Sequence, residues 1–240
     1  MSTTTQPENS VRAEFLRGIW ESLPFLLVVA PFGLLFGVVA TEAGLNLVET
    51  MAMTFLVIAG AAQFTAIALM EENAPTVIVV LTALAVNLRM ALYSASMAPH
   101  LGKAPIWQRA LVAYMLVDQS YAASAARYEE APTLSTTEKA SYFFGFVTLI
   151  IPIWYASTYL GAVAGAAIPP EYALDFAVPI TFIALVAPLL RSLPHLVAAV
   201  TSVVLTLALL WVPFSLGLII AACVAMPAGA LTEYWLEKRK

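Results

Sequence analysis

Four polar side chains stand inside stretches that are otherwise apolar: Gln63, Asn87, Arg89 and Asp118. A guanidinium and a carboxylate are the groups that bind the two charges of a zwitterion, and a carboxamide adds neutral donors and an acceptor. A desolvated carboxylate also holds a proton more firmly, which makes Asp118 a candidate proton carrier. Gln63, Arg89 and Asp118 each lie roughly 12 or 13 residues into an apolar run, about 20 Å deep at 1.5 Å per residue. A charge at that depth in a bilayer costs about 2.5–3.5 kcal/mol. Arg89 and Asp118 are therefore expected to face the protein interior and to pair, since either one buried alone is an uncompensated charge. Two readings stay open for that pair: an ion pair that only fixes helix register, and a substrate- or proton-binding site. Asn87 sits two residues from Arg89, on nearly the opposite side of a regular helix. It joins the same site only if the helix breaks there. Gln63 ends the small-residue cluster Ala59-Gly60-Ala61-Ala62, where helices approach closely. It reads equally as packing glue and as a substrate contact.

The elements that must position these groups follow from composition. Of 240 residues, 61% are hydrophobic and 11% charged, against roughly 25% charged in a soluble globular chain. A soluble fold of this size has too little interior to hide so much apolar surface. The fold class is an all-α polytopic membrane protein. Net charge −4, with 11 scattered Lys and Arg, leaves no basic face for nucleic acid. The single cysteine, Cys223, lies in an apolar run, so no disulfide framework is expected. Neither His100 nor His195 stands near an acidic cluster, so no metal site is expected. The sequence has no His-Glu-x-x-His, no Gly-x-Ser-x-Gly and no Gly-rich phosphate loop, the arrangements that would mark an enzyme. No enzymatic activity and no cofactor are expected. Met1 to Ser10 are polar and do not read as a cleaved signal peptide.

A spanning helix takes about 20 mainly apolar residues. Runs at 18–40, 50–70, 76–98, 106–126, 140–168, 173–190, 193–211 and 213–231 predict about 8 transmembrane segments. The chain is read as a single integral membrane domain, 1–240, with a polar cytoplasmic N-terminus (1–17), a transmembrane bundle (18–231) and a basic tail (232–240). The longest loop, Arg127–Lys139, contains Ser135-Thr-Thr-Glu138, which predicts a capping box opening the next helix. Trp20, Trp107, Trp211 and Trp235 lie near span ends, as an interfacial belt requires, and Arg109 snorkels there. Arg12, Arg17 and Lys238-Arg239-Lys240 place both termini on the cytoplasmic side of the cell membrane. Eight crossings then put Lys103 and Arg109 outside. Making one early segment re-entrant brings them inside but upsets the later loops. Pro24, Pro31, Pro152, Pro179 and Pro188 lie within runs and predict kinks or discontinuous helices. Gly33, Gly37, Gly60 and Pro179 are candidates for helix packing or flexible backbone. Gly37-Val-Val-Ala40 echoes Gly161-Ala-Val-Ala164, and Thr54-Phe55 echoes Thr181-Phe182. Such spacing fits two weak repeats, inverted if each half holds an odd number of crossings.

Several motifs occur in the order of a known family. Pro31-Phe-Gly-Leu-Leu-Phe-Gly37 with Ala43-Gly44-Leu45 resembles the opening of the AzlC family, the large subunit of branched-chain amino acid exporters. Ala59-Gly-Ala-Ala-Gln-Phe64 is similar to its most distinctive motif. Val86-Asn-Leu-Arg89, Leu92-Tyr93-Ser94 and Ala98-Pro99-His100-Leu101 resemble the next. Leu174-Asp-Phe-Ala177, Phe182-Ile-Ala-Leu185 and Pro188-Leu-Leu190 fit the second half. The resemblance spans roughly residues 18–230. It implies a lipid-embedded complex with a small hydrophobic AzlD-type subunit. It also implies proton-driven export of neutral amino acids such as leucine, isoleucine, valine or methionine. Carried over by position, the site residues are Gln63, Asn87, Arg89 and Asp118. This chain has Asp118-Gln119 where the family pattern implies Asp-Glu, and Met90 where it implies His or a small polar residue. One acidic group is thereby removed. A gated small-solute channel and a non-transporting membrane scaffold subunit are the alternatives.

Overall fold

A computed structural model describes residues 7–166, 190, 192–213 and 216–238 of the chain. The described residues form nine helices and no strand. These are α1 (Pro7–Glu42), α2 (Leu47–Leu56), α3 (Gly60–Glu71), α4 (Thr76–Leu101), α5 (Ile106–Met115), α6 (Asp118–Glu130), α7 (Thr136–Gly165), α8 (Leu193–Ala208) and α9 (Leu216–Glu237). Among the described residues, α1, α4, α7 and α9 are long and apolar enough to cross a membrane. The chain divides into two compact units, Met1–Phe64 with Ala83–Pro169, and Thr65–Thr82 with Pro170–Lys240.

The first unit is built on α1 and α7. Gly18 lies on the backbone of Tyr142 and Phe146, Gly37 on that of Thr158 and Ala162, and Gly161 on that of Leu34. A Cβ at any of these would collide with a backbone carbonyl, so the sequence needs glycine for the two helices to touch along their length. Contacts rise in step along both helices, so α1 and α7 run parallel from a near end, where both begin, to a far end. Gly37 and Gly161, which open the echoed segments Gly37–Ala40 and Gly161–Ala164, both lie in this contact. Thr181 and Phe182, the other half of the second echo, lie outside the described residues, as does Pro179.

Neither prolines nor the expected run boundaries locate the breaks. Pro24 and Pro31 sit inside continuous α1, and Pro152 inside continuous α7. The chain instead breaks at 57–59 and at 116–117, in runs 50–70 and 106–126. Each run is a pair of helices folded back on itself. After α1 reaches the far end, Gly44 turns the chain with φ +89°, a conformation glycine adopts without strain. Asn46 and Glu49 then cap α2 reciprocally, at 3.0 and 2.8 Å. Descending α2 brings Thr54 to Trp154 and Phe55 to Tyr155. From Gly60, set against Phe32 and Trp154, α3 turns back; Phe64 packs on Phe32 and Phe36.

The second hairpin enters from the other end. His100, in the last turn of α4, meets Lys139 in the first turn of α7, so α4 finishes at the near end. Helix α5 climbs back along it, with Leu116 and Val112 lining one cleft with Ser94 and Met97. Helix α6 descends again, from Asp118 opposite Tyr93 to Tyr128 beside Lys139. The tips meet: the Tyr114 hydroxyl donates to the Phe55 carbonyl and lies 2.8 Å from the Tyr155 hydroxyl. A long helix followed by a hairpin thus occurs twice, in opposite directions, over a shorter period than the expected half-chain repeat. The expected eight crossings are not confirmed: four of the described helices are long and apolar enough to span, runs 50–70 and 106–126 are each a pair of short helices, and run 173–190 lies almost entirely outside the described residues. Ser135 and Glu138 cap α7 as a box, with the Ser135 amide 2.7 Å from Glu138 Oε2.

In the second unit, α8 and α9 pack antiparallel, with Gly229 on Ala198 and Gly217 on Leu209. At 16 residues, α8 is shorter than a full crossing.

Gly161→Leu is expected to abolish folded material in detergent, because the side chain has only the Leu34 backbone to enter. Gly44→Ala has nothing within 4 Å and should cost only the left-handed backbone strain, about 1–2 kcal/mol. Thermal melting with size-exclusion detection orders the two; equal losses would refute the packing account.

Candidate functional site

Asp118 is the first residue of α6, at the tip of the second hairpin. Its backbone break is closed locally: the Val117 amide donates to Ser120 Oγ at 2.9 Å, and that hydroxyl, fully buried, faces the Val117 and Met115 carbonyls. The carboxylate receives Arg89 Nη1 at 3.0 Å on one oxygen and the Tyr93 hydroxyl at 3.1 Å on the other. Tyr93 stacks on Tyr121, ring centroids 4.1 Å apart, and Tyr121 donates to Ser96 at 3.2 Å. Tyr93 and Ser96 on α4 and Tyr121 on α6 therefore hold the pair in place. Arg89 stands about 16 Å along the helix from His100, well inside the bundle. The side chains remain 36% and 43% exposed, so the pair is accessible rather than sealed. Arg89 Nε is buried without a hydrogen-bond partner among the described residues. It is a donor held in reserve.

The expected Arg89–Asp118 pair is present. Asn87 is not part of it, because α4 is continuous through 87–89 and a two-residue step turns about 200°. The Asn87 Oδ1 is buried and unpartnered among the described residues.

Gln63 belongs to the other hairpin. It is fully buried, the fourth residue of α3, and its Nε2 donates to Thr54 Oγ1 at 3.2 Å. Trp154 Nε1 donates to the same oxygen at 3.0 Å. Gly60 fits beneath Phe32 and Trp154, and Gly33 against Trp154 and Ser157, so both glycines seat the tip. The sequence names Thr54 and Tyr93 only within an echo and a motif, not as site residues, and does not mark Tyr114 or Trp154. Acidic Asp118 followed by Ser120 was a readable helix-start signal. The aromatic partners carry no signal of their own, being common in any apolar chain.

A third cluster fastens α6 at the near end. Arg127 forms two hydrogen bonds with Glu14, at 3.0 and 2.6 Å, with side chains only 12% and 9% exposed. Tyr128 donates to the Lys139 carbonyl at 2.8 Å, and Tyr142 donates to Glu21. The hairpin carrying Asp118 is thus tied to α1 and α7 by charge at its base.

The sequence itself is similar to known ones. The family model described as AzlC protein matches residues 24–168, a stretch holding both hairpins and much of the α1–α7 contact. The chain belongs to the AzlC family. An uncharacterized membrane protein of Archaeoglobus fulgidus is 30% identical over 231 residues, covering 94% of this chain and 97% of the relative. The inner membrane protein YgaZ of Escherichia coli is 27% identical over 192 residues, covering 75% of each. An uncharacterized membrane protein of Helicobacter pylori is 28% identical over 157 residues, covering 64% of this chain and 67% of the relative. No solved structure matches the chain. This AzlC-family chain is a multi-pass membrane protein.

Exposure ranks the two ion pairs. Arg127→Met leaves Glu14 buried and unpaired and should cost about 3–5 kcal/mol. Arg89→Met leaves Asp118 half-open, with Tyr93 still bonded, and should cost about 1–2 kcal/mol. Melting of the two purified variants tests the ranking; a larger loss at Arg89 would contradict it.

Proposed function

We propose that this chain is the large subunit of a secondary transporter, not an enzyme. On this reading it exports branched-chain or related neutral amino acids, driven by the proton gradient and paired with a small hydrophobic AzlD-type subunit. The observation that carries this is the Arg89–Asp118 pair: opposite charges, half-exposed, at the tip of a broken helix deep in the bundle. A zwitterion entering between them replaces one ion pair by two, its carboxylate on Arg89 and its ammonium on Asp118. Such an exchange keeps each charge compensated throughout, which matters where an unpaired charge is expensive. The unused Arg89 Nε offers the carboxylate a second donor, and the N-terminus of α6 adds its positive dipole end. When the substrate leaves, Asp118 either re-pairs or takes the proton. Membership of the AzlC family supports the substrate class.

Charge placement supports the orientation. Arg12, Arg17, Lys103, Arg109, Arg127 and Lys139 lie at or close to the near end. The far ends of α1 and α2 carry Glu42 and Glu49 and no Lys or Arg. The near end is therefore read as cytoplasmic, with the N-terminus there; Lys238-Arg239-Lys240 argues for the same side. Two re-entrant hairpins remove the conflict over Lys103 and Arg109 that eight crossings create. The second hairpin then opens toward the cytoplasm, the first toward the outside.

The test is flux of labelled leucine, valine and methionine in proteoliposomes, with and without the small subunit and an imposed pH gradient. Saturable, gradient-driven flux is expected. Arg89→Gln should raise the half-saturating concentration at least about tenfold, the equivalent of one lost charged hydrogen bond. Asp118→Asn should abolish proton coupling. Unchanged coupling in Asp118→Asn would end the proton-carrier role, and non-saturating, uncoupled flux would make the chain a channel.

A further inference from the structure

The first hairpin holds polar oxygens that the site above does not use. Thr50, Thr54, Gln63 and Thr158 are all fully buried. Thr50 and Thr54 lie one turn apart on α2, and Thr158 lies one turn beyond Trp154 on α7. Helix α2 descends against ascending α7, with Thr54 bonded to Trp154. One turn toward the far end on both helices therefore brings Thr50 to the level of Thr158, whose backbone also lies against Gly37 of α1. Thr50 Oγ1, Thr158 Oγ1 and Gln63 Oε1 are each buried with no hydrogen-bond partner among the described residues.

Three helical threonines elsewhere show the usual solution, donating back to their own helix. Thr41 reaches the Val38 carbonyl at 2.8 Å, Thr148 that of Phe144 at 2.6 Å, and Thr232 that of Ala228 at 2.7 Å. Thr50 and Thr158 forgo that bond, although leaving a buried hydroxyl unpaired is costly. The atoms presented are neutral oxygens. No Lys, Arg or His occurs in α2, in α3 or in residues 151–165 of α7. The C-terminus of α2 ends at the tip, where its last carbonyls carry the negative end of the helix dipole. The neutral oxygens, the absence of basic residues and the carbonyl end of α2 favour a cation against the opposing dipole at the start of α3, and none supplies a full negative charge that would demand a divalent one.

We propose that the cradle between α2, α3 and α7 binds a monovalent cation stripped of most of its water, held by Thr50 Oγ1, Thr158 Oγ1 and Gln63 Oε1. Two sources share that chemistry, free Na⁺ and the ammonium group of an amine. The site does not depend on the export reading, because binding is measured without transport. Melting of the full-length chain in detergent is compared in choline chloride, in NaCl at equal ionic strength, and in choline chloride with leucinamide.

Na⁺ should raise the melting temperature by about 4 °C or more over choline. Thr50→Val and Thr158→Val should erase that increment, and Thr158→Ser should keep it. If either valine variant does not fold, Gln63→Met carries the same test. A threonine-dependent shift with leucinamide but not with Na⁺ would support the cradle and assign it to an amine. Equal melting in all three solutions, or an Na⁺ shift that survives both valine substitutions, would overturn the proposal.

Discussion

Everything in the first unit is referred to one contact, the glycine-lined meeting of α1 and α7. Where Gly18, Gly37 and Gly161 lie on the opposite backbone, the helix axes are as close as peptide groups permit. In a bilayer no hydrophobic effect drives helices together, so close approach and its dispersion energy must do so. The same contact fixes direction. Parallel α1 and α7 can be linked in sequence by α4 running the other way only if neither intervening broken segment adds a net crossing; were both to cross, α4 would run the same way as α1, whereas His100 at its end meets Lys139 at the start of α7. Thr54 beside Gln63, and Asp118 beside Tyr93 with Tyr128 beside Lys139, show that both fold back.

A broken helix inside a membrane has to account for its orphaned backbone groups. Here the two hairpins answer for each other. Tyr114 of the second donates to the Phe55 carbonyl that ends the first half of the first hairpin, and it shares a hydroxyl contact with Tyr155 of the scaffold. Ser120 satisfies the amide released at 117. The breaks need no proline because they are not kinks. They are helix ends, capped by side chains, and they turn the polar tips toward one level of the bundle.

This explains what could be read from the sequence. The membrane class followed from composition, and the Arg89–Asp118 pair from the cost of an isolated charge at depth. The Ser135–Glu138 cap was legible because its signal is local and polar. The re-entrant turns were not, because a run such as 50–70 has the length and apolarity of a crossing. Only the positions of Trp154 and Tyr155 across the bundle decide that it reverses. Prolines misled for the same reason: α1 tolerates Pro24 and Pro31 because α7 packs along it, a fact with no local signature. Gln63 was marked correctly as unusual. Its bond to Thr54 was not legible, because the sequence marks Thr54 only as part of an echo and a threonine carries no sign of its partner.

The two ion pairs on either end of α6 differ in a way that bears on motion. At its base, Arg127 and Glu14 are nearly sealed from solvent and doubly hydrogen-bonded. At its tip, Arg89 and Asp118 share one contact and stay open. A pair that must exchange partners with a zwitterion has to be accessible and individually weak, since the substrate can displace it only by offering comparable charges. A pair that anchors the hairpin has the opposite requirement. On the proposed reading, α6 therefore works as a lever fixed at the cytoplasmic end and loose at the tip. Opening that end means breaking the stronger pair, and the free energy for it has to come from substrate or ion binding at the tip. On that reading the open tip pair is the one that exchanges with substrate, while the nearly sealed, doubly hydrogen-bonded base pair keeps the hairpin anchored.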